Sequence, residues 1–345
     1  GLGDVYKRQS EHIDKIMKFI PIETVCKCNL LTLQTVCRSS RANLILIINK
    51  SMLSILIPTR NYDCSELIRS LHRLCTRSQI TFEIIVNDDA STDTKSVECN
   101  RITCSELSCC TFIHRDHNIG LASSRNKMAE VAKYDWLLFI DCDAQVASDG
   151  FIDKYVEAMP KCDAICGGLR HPENFDDYGR ELRYRYERKA DQRRAASERS
   201  KHPYNQLSTF NFLIRKSVFM SIRFDEDCKE YGYEDALFGV ELMKRNIPLL
   251  HIDNPLIHTG IDTNEAFIRK SETALRTLYS LNGKMQGNSR VEAMADKVES
   301  VHLKSLALVL YRCFYSAMRR NLLGHKPSLH IFSLYKLGYF LNLKN

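Results

Sequence analysis

The strongest constraint on this chain is a repeated switch of hydrophobic period. Between Met52 and Ala144, short apolar runs alternate with stretches of helical spacing, and most of those runs end in a polar cluster. MLSILIP (52–58) predicts a strand over Leu53 to Ile57, and Ser65 to Leu74 predicts a helix with Leu67, Ile68, Leu71 and Leu74 on one face. FEIIVNDD (82–89) predicts a second strand, with a cysteine-rich helix after it. TFIHRD (111–116) predicts a third strand, Arg125 to Ala132 a helix, and WLLFIDCDA (136–144) a fourth strand. Near-continuous apolar strands joined by helices imply an α/β fold with a mostly parallel sheet covered on both faces. Such sheets bind ligands beyond the carboxyl ends of their strands. PTRN, NDDAST and DCDA sit at those ends, so three strand ends converge on one polar crevice.

Composition narrows the partners. The chain has 345 residues, 44% of them hydrophobic, and a formal charge of +7. That charge is too diffuse to argue for nucleic acid, though it suits an anionic ligand or membrane surface. Fourteen cysteines invite a disulfide framework. Cys109 and Cys110 are adjacent, however, Cys142 lies inside an acidic motif, and no zinc-finger spacing recurs. Free thiols, a cytoplasmic location and no membrane-spanning helix are the expectations.

Three acidic clusters carry candidate chemistry. Asp141 and Asp143 flank Cys142 at the end of an apolar strand, where alternate side chains point the same way. Paired carboxylates there suit a hard divalent cation, Mg²⁺ or Mn²⁺. Asp88 and Asp89 end the second strand, where a carboxylate can accept a hydrogen bond from a base imide. Gly232-Tyr233-Glu234-Asp235 opens the amphipathic helix ALFGVELMKR. The helix dipole favours carboxylates at that end and predicts a lowered pKa, as a general base needs.

Together IPTRN (57–61), VNDDAST (86–92), NIGLASSRN (118–126), FIDCDA (139–144) and GYEDALF (232–238) resemble a family 2 glycosyltransferase of GT-A fold, over Met52 to Thr259. The resemblance implies a nucleotide-sugar donor, with Pro58, Thr59, Arg60, Asn61 and Asp89 near its base and ribose and Asp88 a weaker match. It implies Arg125 near the donor phosphates or uracil. Asp141 and Asp143 match the metal–diphosphate motif, and His258, in IHTG, a histidine that completes the metal site in some relatives. Asp235 matches the catalytic base and Glu234 its acceptor-binding neighbour. Many relatives carry Tyr in place of Arg60. The Gln-x-x-Arg-Trp motif of processive synthases is missing, which implies addition of single sugars. The implied enzyme is an inverting, metal-dependent (Mn²⁺ or Mg²⁺) transferase acting on a glycan or lipid-linked acceptor in surface polysaccharide assembly. Two alternatives remain at this stage. One is a sugar-phosphate nucleotidyltransferase, although Pro58 to Asn61 lacks phosphate-cradling glycines. The other is a non-catalytic nucleotide-sugar-binding scaffold, although all four acidic positions are kept.

The remaining segments complete the expected organisation. Residues 1–51 show no comparable motif logic and read either as an extension foreign to the natural protein or as a helical hairpin. The glycosyltransferase domain is expected over 52–262, and a helical, basic C-terminal region over 263–345. The charged run 178–202 predicts a helix, either a solvated face or an anion clamp led by Arg183, Arg185 and Arg188. His171 and His251 read as structural. After Glu299 every formal side-chain charge is positive, on a segment rich in Leu, Tyr and Phe. That pattern suits either a packing face or a peripheral hold on anionic inner-leaflet lipid.

Overall fold

A computed structural model describes residues 52–173, 177–191, 193–228, 230–281, 283–285 and 289–344. The expectations for residues 1–51 lie outside them. The described residues fall within one compact unit, Ser51–Asn345.

The predicted alternation forms the sheet. β1 (Met52–Thr59), β2 (Thr81–Asp88), β3 (Cys110–His114) and β4 (Trp136–Ile140) pair in parallel, in the order β3-β2-β1-β4. Every residue of β1 after Met52 is buried, as a strand covered on both faces requires. Helices α1 (Ser65–Arg77), α2 (Thr94–Glu106) and α3 (Leu121–Val131) make the crossovers. α1 buries Leu67, Ile68, Leu71 and Leu74, the predicted face. α2 starts at Asp93, whose side chain accepts from the Lys95 amide and so satisfies an orphan donor of the first turn.

The strand predicted over 136–144 breaks in two. β4 stops at Ile140, and β5 (Ala144–Val146) belongs to a second, three-stranded sheet. Asp141 to Asp143 instead form a turn closed by the Ala144 amide on the Asp141 carbonyl, 3.1 Å. The two aspartates therefore do not share a strand face; different partners aim each of them. After α4 (Phe151–Ala158) come β6 (Ala164–Cys166) and β7 (Leu169–Arg170). The charged run then forms two helices, α5 (Glu181–Asp191) and the one-turn α6 (Ala196–Arg199). β8 (Asn211–Arg215) inserts antiparallel between β4 and β6, and β9 (Leu250–His251) extends the sheet beyond β6. β10 (Leu256–His258) pairs with β5 and β7.

α7 (Lys216–Ile222) and α8 (Glu234–Lys244) pack aromatic side chains against the sheet. Phe219, Phe224 and Phe238 meet with ring centroids 4.8–5.7 Å apart. The chain is helical from Asn264, as predicted: α9 (Asn264–Ser280), α10 (Arg290–Ser300), α11 (Lys304–Leu323) and α12 (Leu329–Leu343). Leu275, Leu278, Leu308, Phe340 and Leu341 join the same core as Phe139 and Phe212. Leu182 of α5, Phe267 of α9 and Phe332 of α12 form a smaller cluster beside it. Each such buried side chain contributes about 1.5–3 kcal/mol relative to exposure. All described cysteines are free. No helix among the described residues is long and apolar enough to cross a membrane.

Candidate active site

Four chain segments meet at the carboxyl end of β4. Asp141 leaves the strand and turns toward α3, where Oδ1 accepts from Arg125 Nη2 at 2.8 Å. Asp143 turns the opposite way, toward the end of β10. Its backbone carbonyl accepts from the Thr259 amide (3.0 Å) and hydroxyl (2.9 Å). Its carboxylate lies so close to Gly260 that a Cβ there would overlap it, so this position has to be glycine. Glu234 and Asp235 open α8 after two left-handed residues, Gly232 (φ 104°) and Tyr233 (φ 68°). Gly232 also packs on Ala274 of α9, at a point where a Cβ would stand 2.6 Å from the alanine methyl. Thr209, just before β8, donates to Asp235 from its amide (2.9 Å) and its hydroxyl (2.5 Å).

Arg125 lies at the centre of these carboxylates and is 1% exposed. Nη1 stands 3.5 Å from Glu234 and 3.6 Å from Asp235, while Nε and Nη1 have no hydrogen-bond partner. The guanidinium thus holds two of its three carboxylates by charge, with donors left over. Burial opposes its charge, but Asp141, Asp235 and Glu234 outweigh that and raise its pKa. Burial also raises Asp141, against the pull of Arg125. For Glu234 the dipole expectation fails. Burial, then the neighbouring Asp235, push its carboxyl up to about 7, although Arg125 opposes them.

The second centre is His258. Nε2 lies 3.0 Å from Asp143 Oδ2, and Nδ1 lies 3.0 Å from Glu187 Oε2. Burial disfavours the imidazolium, but the bonds to Asp143 and Glu187 prevail and raise it to about 9. Glu187 projects inward from α5 and is also contacted by His171 Nε2 and Arg183 Nε. Burial acts against its charge, and these partners overcome it to hold its pKa below the carboxylate range. Asp191 completes the chain, 2.9 Å from His171 Nδ1. His171 therefore does more than fill the core, and Glu187 is a residue the sequence reading missed.

A cavity of about 510 Å³ joins these groups. Arg125, Asp141, Asp143, Glu234, Asp235 and His258 all line it, so the residues of four separate motifs face one space. Arg183 lines it too, whereas Arg185 donates to the Pro327 carbonyl and Arg188 to Asp191. The opposite wall comes from the C-terminal helices through Phe267, Lys270, Phe332 and Lys336. None of these four carried a signal before the fold was known.

The remaining donor candidates sit outside the cavity wall. Thr59 faces Asp88 in the β1–β2 register, and its hydroxyl donates to the Tyr62 carbonyl. Asn61 Oδ1 receives the Thr92 and Asp93 amides, which ties the loop after Pro58 and exposed Arg60 to that after β2. Asp88 is enclosed by the Ser91 amide, the Ser91 hydroxyl and His114 Nδ1. Asp89 accepts from the Ile119 and Gly120 amides, one on each oxygen. Each Asp89 oxygen thus keeps a lone pair, whereas on Asp88 only Oδ1 does, Oδ2 being taken by the Ser91 amide and His114. Tyr62 bridges the two regions by a 3.3 Å hydrogen bond to Thr259.

The architecture is that of a GT-A protein. A mannosyltransferase from Pyrobaculum calidifontis, solved in complex with GDP-Man and Mn²⁺, superposes with a TM-score of 0.51 at 13% identity, over 84% of each chain. TarS of S. aureus aligns over 85% of this chain and 90% of its own, with a TM-score of 0.46 at 17% identity. Residues 54–223 match the model of glycosyl transferase family 2. This chain therefore carries a glycosyl transferase family 2 domain. An uncharacterized glycosyltransferase of Haemophilus influenzae is 38% identical over 92 residues, 27% of this chain and 29% of that protein. The chain thus matches under a third of that relative's length.

Proposed function

We propose that this protein is an inverting glycosyltransferase that moves one sugar from a nucleotide-diphosphate donor, a UDP-sugar by our reading, to an acceptor hydroxyl. The convergence of Asp141, Asp143, Glu234 and Asp235 on one cavity around buried Arg125 carries this reading. The donor's base and ribose lie against Pro58 to Asn61 and Asp89, and its diphosphate faces Arg125 and Asp141. The unused Nε–H and Nη1–H groups of Arg125 fit phosphate oxygens.

The residues at the turn also fit a divalent cation. Asp143 Oδ2 and His258 Nε2 converge at 3.0 Å, Gly260 leaves the carboxylate room, and Asp141 lies two residues away. A carboxylate and imidazole set suits Mn²⁺, and carboxylates alone suit Mg²⁺. When bound, such an ion neutralises charge on the departing nucleoside diphosphate. Asp235, oriented by both donors of Thr209, draws the proton from the acceptor hydroxyl as that oxygen attacks the anomeric carbon. Attack opposite the leaving group inverts the configuration. Glu234, raised to about 7, can present a proton to the acceptor rather than compete with Asp235 for one. Exposed Tyr186 and Tyr231, which line the cavity, offer rings against which a sugar can stack.

The acceptor is a glycan or lipid-linked sugar of surface polysaccharide assembly. The C-terminal region gives the enzyme a peripheral hold on the inner membrane face. Nucleotide release from a panel of sugar nucleotides with Mn²⁺, comparing wild type with Asp235→Asn, tests the chemistry. Release by wild type alone is expected. No release with any donor, while nucleotide still raises the melting temperature, would leave a binding protein instead.

A further inference from the structure

We infer that the outer face of α11 is the surface by which this protein lies on an anionic lipid bilayer. This deepens the peripheral contact proposed above. α11 packs inward through Leu308, Tyr311 and Leu322. On its far side Leu303, Leu306, Leu310 and Phe314 recur at helical spacing in solvent, with Leu306 54%, Leu310 48% and Phe314 56% exposed. A stripe of about 17 Å exposed in this way exceeds what scattered surface leucines explain.

Charge selects the occupant. The chain from 300 to 345 contains no Asp or Glu; exposed Arg320 lies beside the stripe, while Arg312 turns toward Asn342 of α12. A second copy seated there would bring two segments of like charge together. A headgroup surface of negative charge neutralises that charge while the stripe enters the acyl boundary.

Co-sedimentation of the full chain with phosphatidylglycerol-containing and pure phosphatidylcholine vesicles tests this without reading sugar transfer. Binding to the anionic vesicles is expected, weakened by salt and lost about tenfold in Leu306→Gln/Phe314→Gln. Both positions are exposed, so the melting temperature should hold. A wild type that stays in the supernatant, or a variant that binds equally well, overturns the proposal. So does a wild-type dimer that the variant converts to monomer. Because transfer to a soluble acceptor is a separate assay, either reading can fail alone.

A different observation carries a second inference: Glu187 is a positioning residue for His258. Its Oε2 accepts from Nδ1–H, which orients the ring so that Nε2 is the nitrogen facing Asp143, 3.0 Å from Oδ2, and the one a cation held there would take. His171 and Arg183 hold Glu187 in turn, and Asp191 holds His171. Electron paramagnetic resonance of free Mn²⁺ reads affinity directly. Glu187→Gln should weaken binding about 10–100-fold, with Glu187→Asp recovering part of the loss. Unchanged affinity in folded Glu187→Gln overturns this. Loss in His171→Ala as complete as in Asp143→Asn also overturns it, since the ion would then sit between His171, Glu187 and His258 themselves.

Discussion

Two buried arginines show what separates the candidate site from the scaffold. Arg199, on α6, sits among main-chain acceptors. It donates to the carbonyls of Arg194, Cys166, Gly167 and Ile252 and to His251 Nδ1, at 2.6–3.3 Å. All its nitrogens are engaged, and Gly168 (φ 86°) lies where a Cβ would press on its guanidinium. Arg125 has one short bond, three carboxylates and idle donors. A saturated buried cation braces the loops at the ends of β6 and β9. An unsaturated one among carboxylates stores binding capacity for an anion.

The sharpest cut through this contrast is at the reacting group. Asp235→Asn should lower turnover by about 10²–10⁴-fold while the Thr209 hydrogen bonds largely hold the fold. Initial rates and a melting curve check this together. Next in size, Arg125→Met should cost about 10²–10³-fold in turnover, the scale of one lost charge-stabilising donor. Arg199→Met should leave turnover per folded molecule within about twofold, yet lose on the order of 4 kcal/mol of stability by stranding its acceptors. Chemical denaturation of both variants decides it. Equal losses of stability, or an inactive but fully stable Arg199→Met, would break the distinction.

The fold was legible because β1, β2 and β4 are buried on both faces and announce themselves as apolar runs. The antiparallel entry of β8 was not, since FNFLIRKSVF looks the same in either direction. The candidate site divides likewise. Asp141, Asp143, Glu234 and Asp235 stand out at element ends. Their aim did not, because the strand stops at Ile140 and Arg125 and His258 draw the two aspartates apart. Glu187 lies in a run crowded with charge, and a carboxylate there reads as solvated. Its partner His258 lies 71 positions away, a pairing no local pattern encodes.

A smaller effect sharpens the scaffold side of the comparison. His251 accepts from Arg199 at Nδ1 and donates from Nε2 to the Pro203 carbonyl, an arrangement that requires the neutral ring. Burial and then the Arg199 charge lower its pKa from 6.5 to about 4, although the Pro203 carbonyl favours the charged form. The unfolded chain therefore binds this proton first as pH falls. The contribution is full above pH 6.5 and declines to pH 4, by up to about 3 kcal/mol. Urea denaturation at pH 7.5 and 5, with His251→Asn as reference, should show a steeper loss in wild type.

Smallest of all is the outer edge of the charged run, where the clamp and solvated readings of α5 part company. Arg188 donates to Asp191 Oδ2 at 3.0 Å, but that carboxylate also holds His171 and Arg194. Arg188→Ala therefore removes one exposed partner from an aspartate that keeps two others. A change within about 0.5 kcal/mol is expected, with donor affinity unaltered. Arg183, pointing into the cavity over the Phe267 ring at 4.8 Å, and Arg194, which also lines it, are the arginines of the run able to meet a ligand. A tenfold loss of donor affinity in Arg188→Ala would move anion recognition onto the helix exterior and take from Arg125 its special standing.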